Sequence, residues 1–200
     1  MIQRNSQDNS FPARVDCVVI GAGIAGASVA SELADRMNVL LLERESQPGY
    51  HTTGRSAALY TVAYGPPVIR ALTRASGAFF RDPDSRFVAE PLLSKRGVVF
   101  MARPDQLEAM AALRDDLGGA VVELSADDVA EAAPLMRRGY AVAGLFDASA
   151  SDIDVHGLHQ HYLRQFKARG GTLRTKADVI ALERGSEWTV HTRTGSTIAP

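Results

Sequence analysis

Two short apolar runs, residues 15–20 and 39–42, are too continuously hydrophobic for half-wetted strands and match parallel strands buried on both faces. Between them lies a segment of helical spacing. Gly26, Ala27 and Ala30 leave its inner side nearly bare for close approach to a sheet, with Val29 and Leu33 supplying apolar contact. The series reads strand, helix, strand, with the first strand central in its sheet. Farther along, Ile69, Leu72, Phe79 and Phe80 predict a helix over 68–80 behind Pro66 and Pro67, closed by a turn at 81–84. Residues 97–102 predict a strand. Leu107, Met110, Ala111, Leu113 and Leu117 then share a helical face that ends at Gly118 and Gly119, before a strand at 120–123. Ser125 followed by Asp128 forms a capping box for a short helix that Pro134 stops. Asp152 or Asp154 can cap a helix with the stripe Val155, Leu158, Tyr162 and Phe166, ended by Gly170 and Gly171. Strands at 172–175, 179–183, 187–192 and 196–199 follow, the last turn falling at Thr194 and Gly195.

The first loop carries the chemistry. Gly21, Ala22, Gly23, Ile24, Ala25 and Gly26 join the first strand to the helix. Gly21 permits a tight reversal, Gly23 lets backbone approach a pyrophosphate, and Gly26 packs helix on strand. Free amides at the helix start favour an anion by up to about 2 kcal/mol. Glu43 closes the second strand about 20 residues beyond the turn, where a carboxylate accepts both ribose hydroxyls and repels a 2′-phosphate. The pattern predicts a dinucleotide, FAD or NAD rather than NADP, on an α/β, Rossmann-like unit with a central parallel sheet.

Composition narrows the partners. Nearly half of the 200 residues are hydrophobic, enough for a core. A formal net charge of −1, with both signs scattered, gives no attraction to nucleic acid or to an anionic membrane. No run reaches the roughly 20 apolar residues of a membrane helix. The polar stretch 1–12 lacks the apolar block of a secretory signal and is expected to fray. Cys17, the single cysteine, has no mate for a disulfide or metal cage and reads as a small core residue, which fits a reducing cytoplasm.

Other constellations fall short. On a helix His156 and His159 lie about 60° apart while His161 points away, so three ligands do not converge and no metal is expected. Solvated or helix-capping histidines are the simpler reading. No tyrosine is followed by a lysine four positions later, as short-chain nicotinamide dehydrogenases require, and no Gly-x-Ser-x-Gly elbow anchors a hydrolase triad. His51 and Arg55, after the ribose-binding strand, are the polar side chains placed to reach a ligand's phosphates or reactive ring.

With these residues in view, the chain resembles the FAD-dependent oxidoreductases of the D-amino-acid oxidase type, the group that includes glycine oxidase, sarcosine oxidase, D-amino-acid dehydrogenase and glycerol-3-phosphate dehydrogenase. The resemblance covers residues 13–200. It rests on the 16–26 run, Leu42-Glu-Arg44, Gly54-Arg-Ser-Ala-Ala58, Arg96-Gly-Val-Val-Phe100, Asp152-Ile-Asp-Val-His156, Ala177-Asp-Val-Ile-Ala-Leu182 and Trp188-Thr-Val190. It implies that Gly21, Ala22, Gly23, Ile24, Ala25 and Gly26 hold the pyrophosphate, Glu43 the adenosine ribose and Arg44 the adenine side. Thr53, Gly54, Arg55, Ser56, Ala57 and Ala58 would meet the phosphates and flavin edge, and the Val179 backbone the adenine. Relatives that tether flavin covalently carry a histidine where this chain has Arg55, so the FAD is expected to be noncovalent.

The resemblance further implies an FAD-binding domain of residues 13–90 and 151–200, incomplete here, and a partial α+β substrate-binding domain of residues 91–150. The implied reaction moves a hydride from a small amino acid or amine to FAD, without a strictly required side-chain base, so no catalytic residue is assigned. Oxidation of a 2-hydroxy acid or polyol phosphate follows the same route. Family members continue for well over a hundred residues, whereas this chain stops inside a hairpin. A non-catalytic nucleotide-binding half, completed by a partner chain or a C-terminal half, is therefore the reading from a different class.

Overall fold

The computed structural model describes residues 11–200. In chain order the elements are β1 (Cys17–Ile20), α1 (Ile24–Leu33), β2 (Val39–Leu42), β3 (Leu59–Tyr60), α2 (Pro67–Arg81), β4 (Leu93–Lys95), β5 (Val98–Ala102), α3 (Leu107–Leu117), β6 (Val122–Ser125) and α4 (Ala126–Ala132). Then come β7 (Ala143–Asp147), β8 (Ser151–Ile153), α5 (Val155–Ala168), β9 (Thr172–Arg174), β10 (Val179–Arg184), β11 (Trp188–Thr192) and β12 (Ser196–Ala199). They form two compact units, the first of residues 11–56, 85–89 and 155–200, the second of residues 57–84 and 90–154.

The first unit is built on a parallel sheet ordered β1-β2-β9, in which Cys17 pairs with Val39 and Leu40 with Thr172. Every residue of β2 is buried, and its side chains alternate between two cores. Leu40 and Leu42 pack with Val15, Ala177, Val190 and Ala199, on the side of the antiparallel sheet β10-β11-β12. Val39 and Leu41 pack with Ala22, Ala30, Ala34 and Phe166, on the side of α1 and α5. A strand filling cores on both faces has no polar position to spare, which is why β2 reads as four apolar residues.

The fold is α/β, as the sequence predicts, but the central strand is β2 rather than β1. Among the described residues β1 pairs with β2 alone, and its end residue Ile20 is 52% exposed. Helix α1 presents Ala27, Ala30 and Ser31 inward, whereas Val29, expected to pack inside, is exposed. Leu33 does pack against the core. Of the stretch expected to fray, residues 1–10 lie outside the described residues; Phe11 packs against the core around Val15.

The second unit holds two antiparallel sheets, β3-β8-β4 and β5-β7-β6. Strands β3, β4, β7 and β8 were not predicted from sequence. The capping box was: Ser125 Oγ accepts the Asp128 amide while the Asp128 carboxylate accepts the Ser125 amide, opening α4. Arg70 of α2, its side chain nearly buried, makes a bidentate pair with Asp116 of α3. That bond holds the Asp116 carboxyl below the usual carboxylate range and raises Arg70. Among the described residues no helix is long and apolar enough to cross a membrane.

Candidate functional site

At the carboxyl ends of β1 and β2 the first unit opens a cavity of about 430 Å³, lined by Gly21, Gly23, Glu43, Arg44, Thr53 and Val179, with Ile20, Leu42, Tyr50 and His51 among its other walls. This is where open parallel sheets bind ligands, because the strand ends and helix start present unpaired amides there.

The turn that forms its floor is dictated by its glycines. Gly21 has φ +95°, a left-handed conformation that favours glycine, and its N–H donates to the Leu42 carbonyl at 2.7 Å. Gly26 is the third residue of α1, within its first turn, where any Cβ would overlap the Gly21 carbonyl oxygen. The last glycine of the series therefore makes room for the turn itself as well as for the strand beneath it.

Between these two glycines Ala22 is wholly buried and held from both sides. Its N–H donates to Glu43 Oε2 at 2.9 Å, and its carbonyl accepts from His159 Nε2 at 2.8 Å. Glu43 Oε1 accepts the Glu45 amide at 2.9 Å. The carboxylate is thus fixed at the cavity wall with one backbone bond on each oxygen. Since a carboxylate offers about four acceptor positions, each oxygen retains capacity for a further hydroxyl donor.

Thr53 stands across the helix start, where Oγ1 accepts the Ile24 amide at 2.9 Å. A Cβ on Gly23 would come 3.2 Å from that hydroxyl, so glycine keeps the space between them clear. Beside the cavity, Arg44, Glu45 and His51 form a polar cluster. His51 Nε2 lies 2.8 Å from Glu45 Oε1 and 3.2 Å from Arg44 Nη2. The bond from His51 is the main reason the Glu45 carboxyl sits below its ordinary value, with Arg44 adding to it.

The structure gathers some of the sequence-predicted residues more closely than others. Gly21, Gly23, Glu43, Arg44, Thr53 and Val179 share the cavity, and His51 joins them. Ala22 lies buried behind it, Ile24 contributes its amide to Thr53, and Ala25 and Gly26 continue into α1. Gly54 and Arg55 are not among the cavity walls but continue the short 3₁₀ segment that begins at Thr53, the Arg55 guanidinium resting 5.4 Å from the centre of the Tyr50 ring, and Ser56 follows it. Ala57 and Ala58 belong to the second unit.

Sequence reasoning missed Gly49, Tyr50, Thr52, Ala177 and Asp178 as cavity walls, and gave His159 no role at the site. His159 and His161 were read as solvated or capping; both are buried, His159 on Ala22 and His161 edge-on to Phe87. His156 is exposed. Among the described residues no three His, Cys, Asp or Glu side chains are grouped to hold a metal. Cys17 is a partly buried member of the core beside α1, and desolvation raises its thiol pKa, keeping it protonated.

A glycine-turn helix start, a carboxylate with spare acceptor capacity and an open cavity between them fit the adenosine diphosphate half of a dinucleotide. The geometry thereby defines a dinucleotide-binding α/β unit. The chain belongs to the FAD dependent oxidoreductase (DAO) family, which it matches over residues 16–199, and the family's cofactor is FAD. It is 29% identical over 195 residues to L-2-hydroxyglutarate dehydrogenase of Escherichia coli K12, covering 90% of this chain and 44% of that protein. Over 101 residues it is 29% identical to glycerol 3-phosphate dehydrogenase of Caloramator mitchellensis, covering 49% of this chain and 21% of that protein. Its fold is similar to the crystal structure of glycine oxidase from Geobacillus kaustophilus, with a TM-score of 0.80 at 17% identity over 94% of this chain and 54% of the other. The chain spans about half the length of the first and last of these, 44% and 54%.

Proposed function

We propose that the first unit binds FAD noncovalently, with the adenosine diphosphate half in the cavity at the ends of β1 and β2. In this reading the Gly23 amide meets the pyrophosphate while the Ile24 amide stays on Thr53, Glu43 accepts the ribose hydroxyls, and Arg44 and the Val179 backbone flank the adenine. Thr53 and the segment from Gly54 to Ala58 lie toward the flavin. The observation that carries this is Glu43, buried at the end of β2 with both oxygens anchored on backbone amides and both still able to accept. FAD, when bound, supplies the hydride acceptor; the protein contributes position and exclusion of water. The second unit is assigned to the substrate side.

The reaction we favour is oxidation of the CH–NH bond of a small amino acid or amine. The fold similarity to glycine oxidase is compatible with it. Oxidation of a 2-hydroxy acid or a polyol phosphate is the second reading, favoured by the sequence similarity to L-2-hydroxyglutarate and glycerol 3-phosphate dehydrogenases. Anaerobic bleaching of the bound flavin with D-amino acids, N-methyl amines, 2-hydroxy acids and glycerol 3-phosphate separates the two. Bleaching by amines and amino acids alone is expected, and bleaching only by the hydroxylated substrates would replace this reading with the second.

A third reading makes these residues a non-catalytic nucleotide-binding half completed by a partner chain. It draws on the open edge of β1, beside which Val18, Leu182 and Trp188 line an apolar trough. FAD binding without bleaching by any of those substrates would favour it. The unpaired, protonated Cys17 is compatible with a reducing cytoplasm, where we place the protein.

A further inference from the structure

His159 of α5 is 3% exposed, more than a hundred residues away in sequence from the glycine turn, and makes one of the shortest polar contacts around it. The acceptor is a carbonyl, so Nε2 must carry the proton in that 2.8 Å bond. The peptide joining Ala22 to Gly23 is trans, like every peptide bond described, and a planar trans peptide points its C=O and N–H in opposite directions. Drawing the Ala22 carbonyl toward His159 therefore turns the Gly23 N–H away from it, and Gly23 is a wall of the cavity. The preceding peptide is set in turn by the bond from the Ala22 N–H to Glu43. Both peptides that flank Ala22 are thus oriented by side chains from other elements, one of which is the proposed ribose acceptor.

The imidazole also props the other wall. A Cβ on Gly49 would come 2.9 Å from His159 Cε1 and 3.1 Å from Nδ1, so the ring abuts the loop that carries Tyr50, His51 and Thr53. That loop closes on itself through the Gly54 N–H to the Gly49 carbonyl at 2.7 Å.

We propose that His159 is a positioning residue for dinucleotide binding: its Nε2–H fixes the Ala22 carbonyl and so aims the Gly23 amide at the ligand's pyrophosphate. The inference rests on the proposed seating of the adenosine diphosphate half of FAD in this cavity. It adds to that seating a residue on a different helix, acting through the backbone rather than by touching the ligand.

The test titrates FAD, ADP and adenosine into the full chain and its His159→Leu and His159→Gln variants, with the melting temperature of each ligand-free protein measured alongside. Leucine removes the donor and leaves a buried carbonyl unpaired; glutamine returns an N–H at similar reach. Binding of FAD and ADP should weaken about tenfold in His159→Leu and return to within about threefold of wild type in His159→Gln. Adenosine, which has no phosphate, should bind all three alike. A role in fold stability alone would lower the leucine variant's melting temperature while leaving the affinity of the folded protein unchanged, and that result overturns the inference. Equal weakening in both variants overturns it too, since it would make ring packing, not the donor, responsible. Failure of the wild-type chain to bind either FAD or ADP strikes instead at the seating on which it rests. Should the leucine variant not fold, the imidazole ¹⁵N shifts of the wild type decide. A proton on Nε2 whose resonance moves on ADP addition is expected, and a ring protonated only at Nδ1 contradicts the proposal.

Discussion

Glu43 is the residue on which the site turns, because it serves the fold and the proposed ligand with the same two oxygens. Its backbone bonds hold the carboxylate in place before any ligand arrives, so little ordering remains to be done on binding. Glu43→Gln keeps the size but loses the charge and half the acceptor capacity. Charge-assisted bonds are worth about 1.5–3 kcal/mol, so FAD affinity should fall roughly 10- to 100-fold by flavin fluorescence titration. An unchanged affinity would remove Glu43 from the site. Gly26 makes a steric prediction. Even alanine there meets the Gly21 carbonyl, so Gly26→Ala should lose about 1–3 kcal/mol in urea unfolding, together with FAD binding. Gly21, Gly23, Gly26 and Glu43 were legible in the sequence because their work is local, done by residues a few positions apart or at a characteristic distance along one strand-helix-strand unit. His159 was not, since its bond to Ala22 depends on how α5 docks, and one histidine among the three on that helix carries no signal for that.

Elements were legible where one side of a helix or the length of a strand had a single task. Helix α1 keeps small residues toward the sheet, β2 is apolar throughout, and α4 opens on a capping box. Strand β7 escaped because its sequence, Ala-Gly-Leu-Phe-Asp, includes types that strands disfavour. Its reasons are tertiary. A side chain at Gly144 would collide with Val129 of α4, and the buried Asp147 carboxylate accepts from Thr61 Oγ1 and from Ser149. The misplacement of β1 at the sheet's centre came from reading apolar content as coverage, when the open edge of β1 has partners on one side only among the described strands.

Between elements of the second unit, the Arg70 to Asp116 pair ties α2 to α3. Asp116 is depressed in the folded protein, so its contribution is present above its unfolded pKa of about 4 and is lost as pH falls through the folded value. Asp116→Asn should lower the melting temperature at neutral pH, with the gap from wild type closing below about pH 4. A gap that stayed constant with pH would show the pair contributes nothing through charge. Phe166, 1% exposed in the core shared by β2 and α5, should cost about 3–5 kcal/mol on truncation to alanine in the same urea assay.

At the scale of the whole molecule, the small-molecule reading rests on the cavity at the ends of β1 and β2. Leu182 and Ile20, each about half exposed, border the trough beside β1, and such an apolar edge favours association. Light scattering after size exclusion should find the chain self-associated at micromolar concentration and Leu182→Lys shifted toward monomer; a wild type that is monomeric throughout would contradict that expectation. The central claim is narrower: adenosine diphosphate lies across the β1-α1-β2 unit. A crystal structure of the chain soaked with ADP tests it most directly. Diphosphate oxygens are expected within hydrogen-bond distance of the Gly23 amide, with the Ile24 amide still on Thr53 Oγ1 and the ribose hydroxyls on Glu43. ADP bound elsewhere, or bound there with Glu43 making only its two backbone contacts, would contradict it.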